Sequence, residues 1–180
     1  GLMTQDATYS RDIPIVLSTN SDCELVDGLG TDANNTTHER GAMNYNVSPG
    51  WSKLSNVWDA MYSIIENANL IVEGINKSSL LTSGDSDQRA MERFKGEALT
   101  IRAMVYFDLI RLFGDIPYKS ESSNPDLSNV YLGKSDRDVI MDELIKDLET
   151  AITLLPWAGE VSAYTTERVT KGYAHSLLAN

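Results

Sequence analysis

The chain has 180 residues, of which 42% are hydrophobic and 23% charged, enough for one globular domain with a real core. Fifteen Lys and Arg against 26 Asp and Glu give a formal charge of −11, which disfavours nucleic acid and anionic lipid as direct partners. The single cysteine, Cys23, excludes an intrachain disulfide framework and a multi-cysteine metal site.

Neither a membrane span nor a leader is visible in the sequence. No apolar run approaches the roughly 20 residues that a transmembrane helix needs. Residues 1–6 lack the basic and apolar regions of a signal peptide. We therefore expect any export signal to lie upstream of this sequence.

Residues 1–48 are rich in Asn, Asp, Thr, Ser and Gly, which predicts a loop-rich lead-in. Its one apolar run, residues 13–17, is compatible with one short helix or strand.

At Ser48 and Pro49 the pattern changes, because Ser is a good N-cap and Pro is tolerated in a first helical turn. A helix is predicted to begin there and to end near Gly74. Its apolar positions recur at three- and four-residue steps: Leu54, Trp58, Met61, Ile65, Ala68 and Val72.

A second helix is predicted from the capping-box pair Asp85 and Gln88 through Phe113, closed by Gly114 and Pro117. Between residues 103 and 113 only Asp108 and Arg111 are charged, and their i,i+3 spacing allows them to pair. A helix that is apolar on nearly every side must be buried, so this helix is predicted to be the centre of the fold.

A polar connection over residues 119–134 precedes a third predicted helix, capped by Ser135 with Asp138 and ended by Pro156. The predicted buried stripe of this helix is Val139, Ile140, Leu144, Leu148, Ala151, Ile152 and Leu155.

A short fourth helix is predicted to begin near Thr170, with apolar positions at Tyr173, Ala174, Leu177 and Leu178. Because a helix of about 10 residues is unstable unless it packs on something, we expect a continuation beyond Asn180. Helices of these lengths favour antiparallel pairs like those of tetratricopeptide (TPR) solenoids, although the regular 34-residue period is absent.

Glu97 and Arg102 are the charges that look buried in this pattern. Their i,i+5 spacing does not align them on a helix, so each is predicted to find a partner elsewhere and to act as a structural anchor. Three small residues nearby, Gly96, Ala98 and Ala103, indicate close approach of helices. The aromatic residues on the helical stripes are predicted to be core: Trp58, Tyr62, Tyr106 and Phe107.

No catalytic motif is present. HExxH, P-loop and Gly-x-Ser-x-Gly patterns do not occur, and His38 and His175 are too far apart to form a local metal motif. We therefore predict no catalytic residues, no metal and no cofactor.

Five motifs occur in a recognisable order: Trp58-x-x-Met61-Tyr62-x-x-Ile65-x-x-Ala68-Asn69, Gly96-Glu97-Ala98-x-x-x-Arg102-Ala103-x-x-Tyr106-Phe107-x-Leu109, Phe113-Gly114-Asp115-Ile116-Pro117, Leu148-x-x-Ala151-x-x-Leu154-Leu155-Pro156, and Val169-Thr170-Lys171-Gly172-x-Ala174-x-x-Leu177-Leu178-Ala179. In these the chain resembles the SusD/RagB family. The resemblance implies an all-α fold of TPR-like antiparallel helix pairs with long irregular loops, as a fragment of a larger SusD-like fold. Residues 1–180 would be a single N-terminal helical domain, with a lead-in over 1–48 and TPR-like helices over 49–180, truncated at the C-terminus.

The resemblance also implies a function and a location. Members of the family are outer-membrane lipoproteins, exposed on the surface of Gram-negative bacteria, that act with a SusC-type TonB-dependent transporter. This chain departs from the family in lacking the lipid-bearing N-terminal cysteine, because Cys23 does not follow a cleavage site. Contact with a membrane is therefore expected only through a lipid anchor that lies outside this chain.

The function implied is non-catalytic binding of an oligosaccharide or other nutrient at the cell surface and its delivery to the transporter. One alternative is a helical protein–protein interaction module that docks on the transporter without ligand contacts of its own. A glycosidase is a further alternative, which the placement of the acidic residues at capping and solvent-facing positions disfavours.

The loop before the first long helix is the predicted ligand site. Neutral sugars are bound by planar polar groups together with an aromatic face, and this loop concentrates both kinds of side chain. The alternative is that these groups only satisfy one another within an Asn-rich connection. The predicted site residues are Asp32, Asn34, Arg40, Asn44, Tyr45 and Trp51.

Overall fold

The structure is a computed structural model that describes residues 1–14, 50, 52–82, 86–123, 128, 131–164 and 167–180. Four α-helices have both ends within this part: α1 (Ser52–Asn76), α2 (Ser86–Phe113), α3 (Arg137–Leu154) and α4 (Lys171–Leu178). Short 3₁₀-helices span Leu2–Thr4 and Ser79–Thr82. Across the described ranges there is no strand, only an isolated antiparallel bridge between Ile116 and Ser135. The predicted all-α class is therefore confirmed.

The chain divides into two compact units, residues 1–64 and residues 65–180. In the first unit the Thr8 hydroxyl donates to the carbonyl oxygens of Leu2 (2.9 Å) and Gln5 (2.8 Å), which closes the N-terminal turns. Asp12, only 4% exposed, pairs with Lys53 near the start of α1 (3.4 Å). Residues 15–49, which include most of the predicted lead-in, lie outside the described part of the chain.

Helix α1 is shifted from its predicted bounds. It begins at Ser52, because Gly50 lies in a turn, and it continues two residues past Gly74. Ile75 is 7% exposed, so burial of its side chain favours extending the helix beyond the glycine. Of the predicted stripe, Met61, Ile65 and Ala68 are buried, whereas Leu54, Trp58 and Val72 are half-buried.

Helix α2 is the centre of the second unit, as predicted. It runs antiparallel to the end of α1, since Lys95 donates to Asn76 (2.7 Å) and Arg102 to Asn69 (2.7 Å). Its most buried side chains include Val105, Tyr106 and Leu109, each with no exposed surface. The predicted pair Asp108–Arg111 is present at 3.5 Å. Gly114 ends the helix in the left-handed region (φ 73°), where a residue without Cβ is favoured.

Helix α3 lies antiparallel to α2, with Leu155 against Gly96 at one end and Asp147 bound to Arg102 further along. A Cβ on Gly96 would lie 2.9 Å from Leu155 Cγ, which confirms the predicted close approach.

The predicted cap of α3 is wrong. Asp136, not Ser135, accepts the amide hydrogen of Asp138 (2.8 Å), and Ser135 precedes the cap, with its own amide bound to the Ile116 carbonyl (2.9 Å). Val139 is also wrongly predicted as buried and is 58% exposed. It lies about 100° around the helix from Ile140, on the solvent side of the buried stripe. Ile152 is half-buried. The remaining predicted positions are buried: Ile140, Leu144, Leu148, Ala151 and Leu155.

Helix α4 begins where predicted, with the Thr170 hydroxyl accepting the Tyr173 amide hydrogen (3.4 Å). It runs antiparallel to α3, because the Lys171 amide binds the Pro156 carbonyl (2.8 Å) and the far end of α4 reaches Leu144. Phe107 borders an apolar pocket of about 80 Å³ between α2, α3 and α4 and is half-buried. The prediction of Phe107 as core is therefore wrong, and the reason is this unfilled space.

Trp58 and Tyr62 are half-buried as well, with ring centroids 4.9 Å apart, so of the four predicted core aromatic residues only Tyr106 is fully buried.

Candidate functional site

The six predicted ligand-binding residues all lie outside the described residues: Asp32, Asn34, Arg40, Asn44, Tyr45 and Trp51. Their grouping as a site stays a prediction. The described part shows how the helices fix a second connection, residues 117–123, which opens the polar segment between α2 and α3. We call the side chains that hold it the loop anchor: Glu66, Asn69 and Glu73 of α1, Arg102 and Tyr106 of α2, Asp147 of α3, and Lys119 of the connection itself.

Arg102 is the centre of the loop anchor. Its guanidinium is 5% exposed and binds both oxygens of Asp147, through Nε (2.8 Å) and Nη2 (2.6 Å). Its Nη1 donates to Asn69 Oδ1 (2.7 Å) and to the Ser120 carbonyl oxygen (3.0 Å). One side chain thus joins all three helices to the connection. The prediction that Arg102 is a structural anchor between helices is confirmed.

Asn69 and Tyr106 fix the backbone of the connection at two further points. The Asn69 amide, fully buried, donates to the carbonyl oxygens of Lys119 (3.1 Å) and Glu121 (2.9 Å). The Tyr106 hydroxyl donates to the Lys119 carbonyl (2.9 Å) and accepts the Lys119 amide hydrogen (2.9 Å). These bonds satisfy backbone groups of the half-buried connection that no helix or sheet pairs.

Two carboxylates of α1 complete the loop anchor. Glu66 accepts hydrogen bonds from the Ser123 amide (2.7 Å) and the Lys119 ammonium (2.9 Å). Glu73 accepts the Ser122 amide hydrogen (2.5 Å). Residues seven apart lie on one face of a helix, so both carboxylates face the connection and accept amide hydrogens from neighbouring residues of it.

These contacts shift the pKa values of the carboxyl groups. Partial burial raises the pKa of Glu66, but the Ser123 amide and the Lys119 charge outweigh it and hold that pKa below its ordinary value. The Ser122 amide lowers the pKa of Glu73, and Lys77 adds to the effect. Burial opposes the charge of Arg102, yet the hydrogen bonds and charge of Asp147 raise the pKa of its guanidinium. The loop anchor therefore favours the charged forms of Glu66, Glu73 and Arg102 at neutral pH.

A second anchor joins α2 to the segment before α4. Arg168 binds both oxygens of Glu97, at 2.7 and 2.5 Å, and its guanidinium lies over the rings of Phe94 (5.2 Å) and Tyr164 (5.1 Å). The hydrogen bonds to Glu97 raise the pKa of Arg168. The partner predicted for Glu97 is thus found in a loop rather than in another helix.

Chemically, the loop anchor fixes the geometry of the connection. Each of its carboxylates binds a cation, a backbone amide or both, and burial raises the pKa of Asp147 against the opposing effect of Arg102. Throughout the ranges the structure describes, no group of three His, Cys, Asp or Glu side chains is arranged to hold a metal ion. Nor is any helix of this described part long and apolar enough to cross a membrane. The arrangement is a rigid helical scaffold that fixes the start of a surface connection.

Sequence reasoning identified Arg102 and Glu97 but missed their partners. Asn69 lies beside Ala68 in the first motif, on the buried side of the predicted helix. A buried amide needs hydrogen-bond partners, so this position could have been predicted as an anchor. The i,i+7 spacing of Glu66 and Glu73 was a second usable signal. Lys119, Asp147 and Arg168 carry no local signal, because their roles depend on contacts 45 to 71 residues away in the sequence.

Comparison with known proteins identifies the class. Residues 15–180 match the sequence model of the SusD-like family described as "Starch-binding associating with outer membrane". The chain belongs to the SusD-like family.

Two curated relatives come from Formosa agariphila. SusD-like protein P25 is 29% identical over 105 residues, which cover 58% of this chain and 19% of that protein. SusD-like protein P2 is 25% identical over 158 residues, covering 86% of this chain and 28% of that protein. The chain thus spans less than a third of the length of these relatives.

A solved structure shows the same fold. The crystal structure of a SusD homolog from Bacteroides thetaiotaomicron superposes with a TM-score of 0.83 at 25% identity, covering 98% of this chain and 32% of that chain. The TPR-like helical region expected from the sequence is therefore the region that the two proteins share.

Proposed function

We propose that this chain is part of a non-catalytic protein that binds an oligosaccharide at the bacterial cell surface and delivers it to a SusC-type TonB-dependent transporter. The observation that supports it most is the match of residues 15–180 to a family described as starch-binding and associated with the outer membrane. The described helices suit this role, since binding residues commonly lie on loops held by a rigid scaffold.

The loop anchor supports a scaffold role in particular. A binding loop whose base is already fixed loses less conformational entropy when a ligand orders it. Here side chains of α1 and α2 hold residues 119–123 through part-buried hydrogen bonds, and Asp147 of α3 holds Arg102 in place. A protein whose task is to hold loops toward a bulky neutral glycan needs this kind of support.

The ligand contacts are proposed to lie in the loop before α1, at Asp32, Asn34, Arg40, Asn44, Tyr45 and Trp51. The carboxylate, amide and guanidinium groups offer paired donors and acceptors for sugar hydroxyls, and the Tyr and Trp rings offer flat apolar faces. The formal charge of −11 favours a neutral glycan over an acidic one.

The first test is calorimetric titration of the full chain with a panel of neutral polysaccharides that includes starch, comparing Trp51→Ala, Tyr45→Ala and Arg40→Ala with the parent. Loss of one stacked aromatic contact should weaken affinity by about 2- to 12-fold, and loss of one charge-assisted contact by about 1.5 to 3 kcal/mol, or roughly 12- to 150-fold. Arg137→Ala is the matched control, because Arg137 is exposed at the start of α3. Circular dichroism must show that each variant is folded.

Two outcomes oppose the proposal in different ways. If the parent binds no member of the panel, the proposed glycan function is wrong. If the parent binds and all three variants bind equally well, the glycan site lies elsewhere, and the loop before α1 is not the site.

Absence of catalysis and the transporter partnership need separate measurements. The chain should release no reducing sugar from any polysaccharide that it binds; turnover above buffer that one carboxylate substitution abolishes would contradict this. A detergent-solubilised SusC-type transporter from the same bacterium should co-purify with the tagged protein. Failure to do so at micromolar concentrations would remove delivery from the proposal.

A further inference from the structure

Trp157 lies in the turn between α3 and α4 and is unusually exposed for a tryptophan. It follows Pro156 and lies three residues after Leu154, the last residue of α3. Of its surface, 48% is accessible. Tryptophan has a large apolar surface whose removal from water is favourable. An exposed indole ring with a fixed orientation is therefore a candidate contact surface.

The ring is supported from one side by α4. Its centroid is 5.7 Å from that of His175, with the two planes 15° apart, so the rings are stacked. A Cβ on Gly172 would lie 3.6 Å from Trp157 Cζ3, and Lys171 Nζ is 5.9 Å from the ring centroid. Residues 171, 172 and 175 share one face of the helix. The indole therefore rests on α4 while 48% of the surface of Trp157 stays accessible.

The turn that carries the ring is fixed by its own hydrogen bonds. The Trp157 amide donates to Glu160 Oε2 (2.7 Å), and the Glu160 amide donates to the Trp157 carbonyl (3.2 Å). Gly159, in the left-handed region at φ 84°, donates its amide hydrogen to the carbonyl of the buried Tyr164 (2.9 Å). The backbone on both sides of the aromatic ring is thus fixed before any ligand arrives.

From this geometry we propose that Trp157 is a stacking platform for a neutral sugar ring of the bound glycan, separate from the loop before α1. A pyranose presents a face of C–H groups, and such a face packs on an aromatic ring as a neighbouring side chain would. A ring already held by His175 and a fixed turn loses little conformational freedom on binding, which favours affinity. Two charged side chains lie near this ring: Lys171 Nζ is over it at 5.9 Å, and the Glu160 carboxylate binds the Trp157 backbone amide. Such groups can donate to and accept from sugar hydroxyls. This inference rests on the proposed glycan function.

The test compares glycan affinity of Trp157→Ala, Trp157→Phe and Tyr131→Ala in the full chain by calorimetry, with the tightest member of the neutral panel as the probe. Removing the platform should weaken binding by about 2- to 12-fold, the range for one aromatic contact, whereas phenylalanine should retain most of the affinity. Tyr131 is the matched control, an aromatic residue that is 92% exposed.

Fluorescence gives a second reading that does not depend on removing the ring. In a Trp51→Phe, Trp58→Phe variant, Trp157 is the single indole. Glycan at a concentration that calorimetry shows to saturate this variant should reduce the quenching of Trp157 fluorescence by acrylamide. This variant also decides the case if Trp157→Ala fails to fold.

Each failure has a separate meaning. If the parent binds no glycan, the proposed function and this inference fall together. If the parent binds while Trp157→Ala keeps full affinity and acrylamide quenching is unchanged, the platform is refuted alone and the function stands. Loss of transporter co-purification in Trp157→Ala with unchanged glycan affinity would also refute the platform and assign the ring to a protein contact.

Discussion

Replacing Arg102 with methionine should unfold the second unit more easily than any surface substitution of similar size. The guanidinium is 5% exposed and its partner, the Asp147 side chain, is 13% exposed. Removing one member of such a buried pair leaves an uncompensated charge and typically costs about 3 to 5 kcal/mol. The acceptors at Asn69 and Ser120 lose their donor as well, but this loss is not additive with the first.

Urea denaturation followed by circular dichroism measures the effect. The midpoint for Arg102→Met should fall with little change in the slope, because the surface exposed on unfolding is the same. The double variant Arg102→Met, Asp147→Leu should recover about 0.5 to 3 kcal/mol relative to the sum of the single changes, since both charges are then removed. Lys146→Met is the matched control. Its pair with Glu143 is on the surface and should contribute little.

A loss below about 1 kcal/mol for Arg102→Met would refute this reasoning, because the loop anchor would then be no stronger than a surface ion pair. Strict additivity in the double variant would show that Arg102 and Asp147 do not act as a pair. Either result would leave the connection 117–123 without its proposed central support.

Three further outcomes follow from the packing and the loop anchor. Gly96→Ala should destabilise the fold by about 1 to 3 kcal/mol in a urea melt, because its Cβ would meet Leu155 at 2.9 Å, whereas Gly74→Ala, with open space around it, should stabilise by up to about 1 kcal/mol. Phe107→Ala should cost about 1 to 3 kcal/mol, less than a fully buried Phe, since Phe107 borders an unfilled pocket; a loss above about 4 would contradict its half-buried position. Because the folded pKa of Glu66 is lowered, its stabilisation is complete above its unfolded value of about 4.3 and is lost as pH falls through the folded pKa. Glu66→Gln should remove that acid-dependent part of the urea midpoint, and an unchanged pH profile would argue against the contact.

The helices were predictable because their ends and their buried faces are marked by residues close together in the sequence. Glycine and proline mark the end of α2, Thr170 caps α4, and the apolar residues of α3 repeat at helical spacing. Errors occurred where a tertiary contact overrides a local signal. Ser135 is a good cap by type, but it pairs with Ile116 in the isolated bridge, and the next residue, Asp136, is the cap. Val139 is apolar, yet it is 58% exposed.

The support beneath the connection was predictable only in part. A buried arginine must be paired, so the sequence predicts that Arg102 acts as an anchor. The identity of its partners depends on helix packing. Packing brings Asn69, 33 positions before Arg102, and Asp147, 45 positions after it, to the same guanidinium. The ligand residues proposed between 32 and 51 rest on residue type alone, since composition shows which groups suit a sugar but gives no geometry.

Hydrogen exchange of the full chain with and without the tightest-binding neutral glycan tests the central claim most directly. A glycan held by loops on a helical scaffold should slow amide exchange within residues 32–51 and leave the already slow amides of 103–112 unchanged. Protection that is absent from every loop of this chain, in the presence of saturating glycan that calorimetry shows to be bound, would contradict the proposal that this region contacts the ligand.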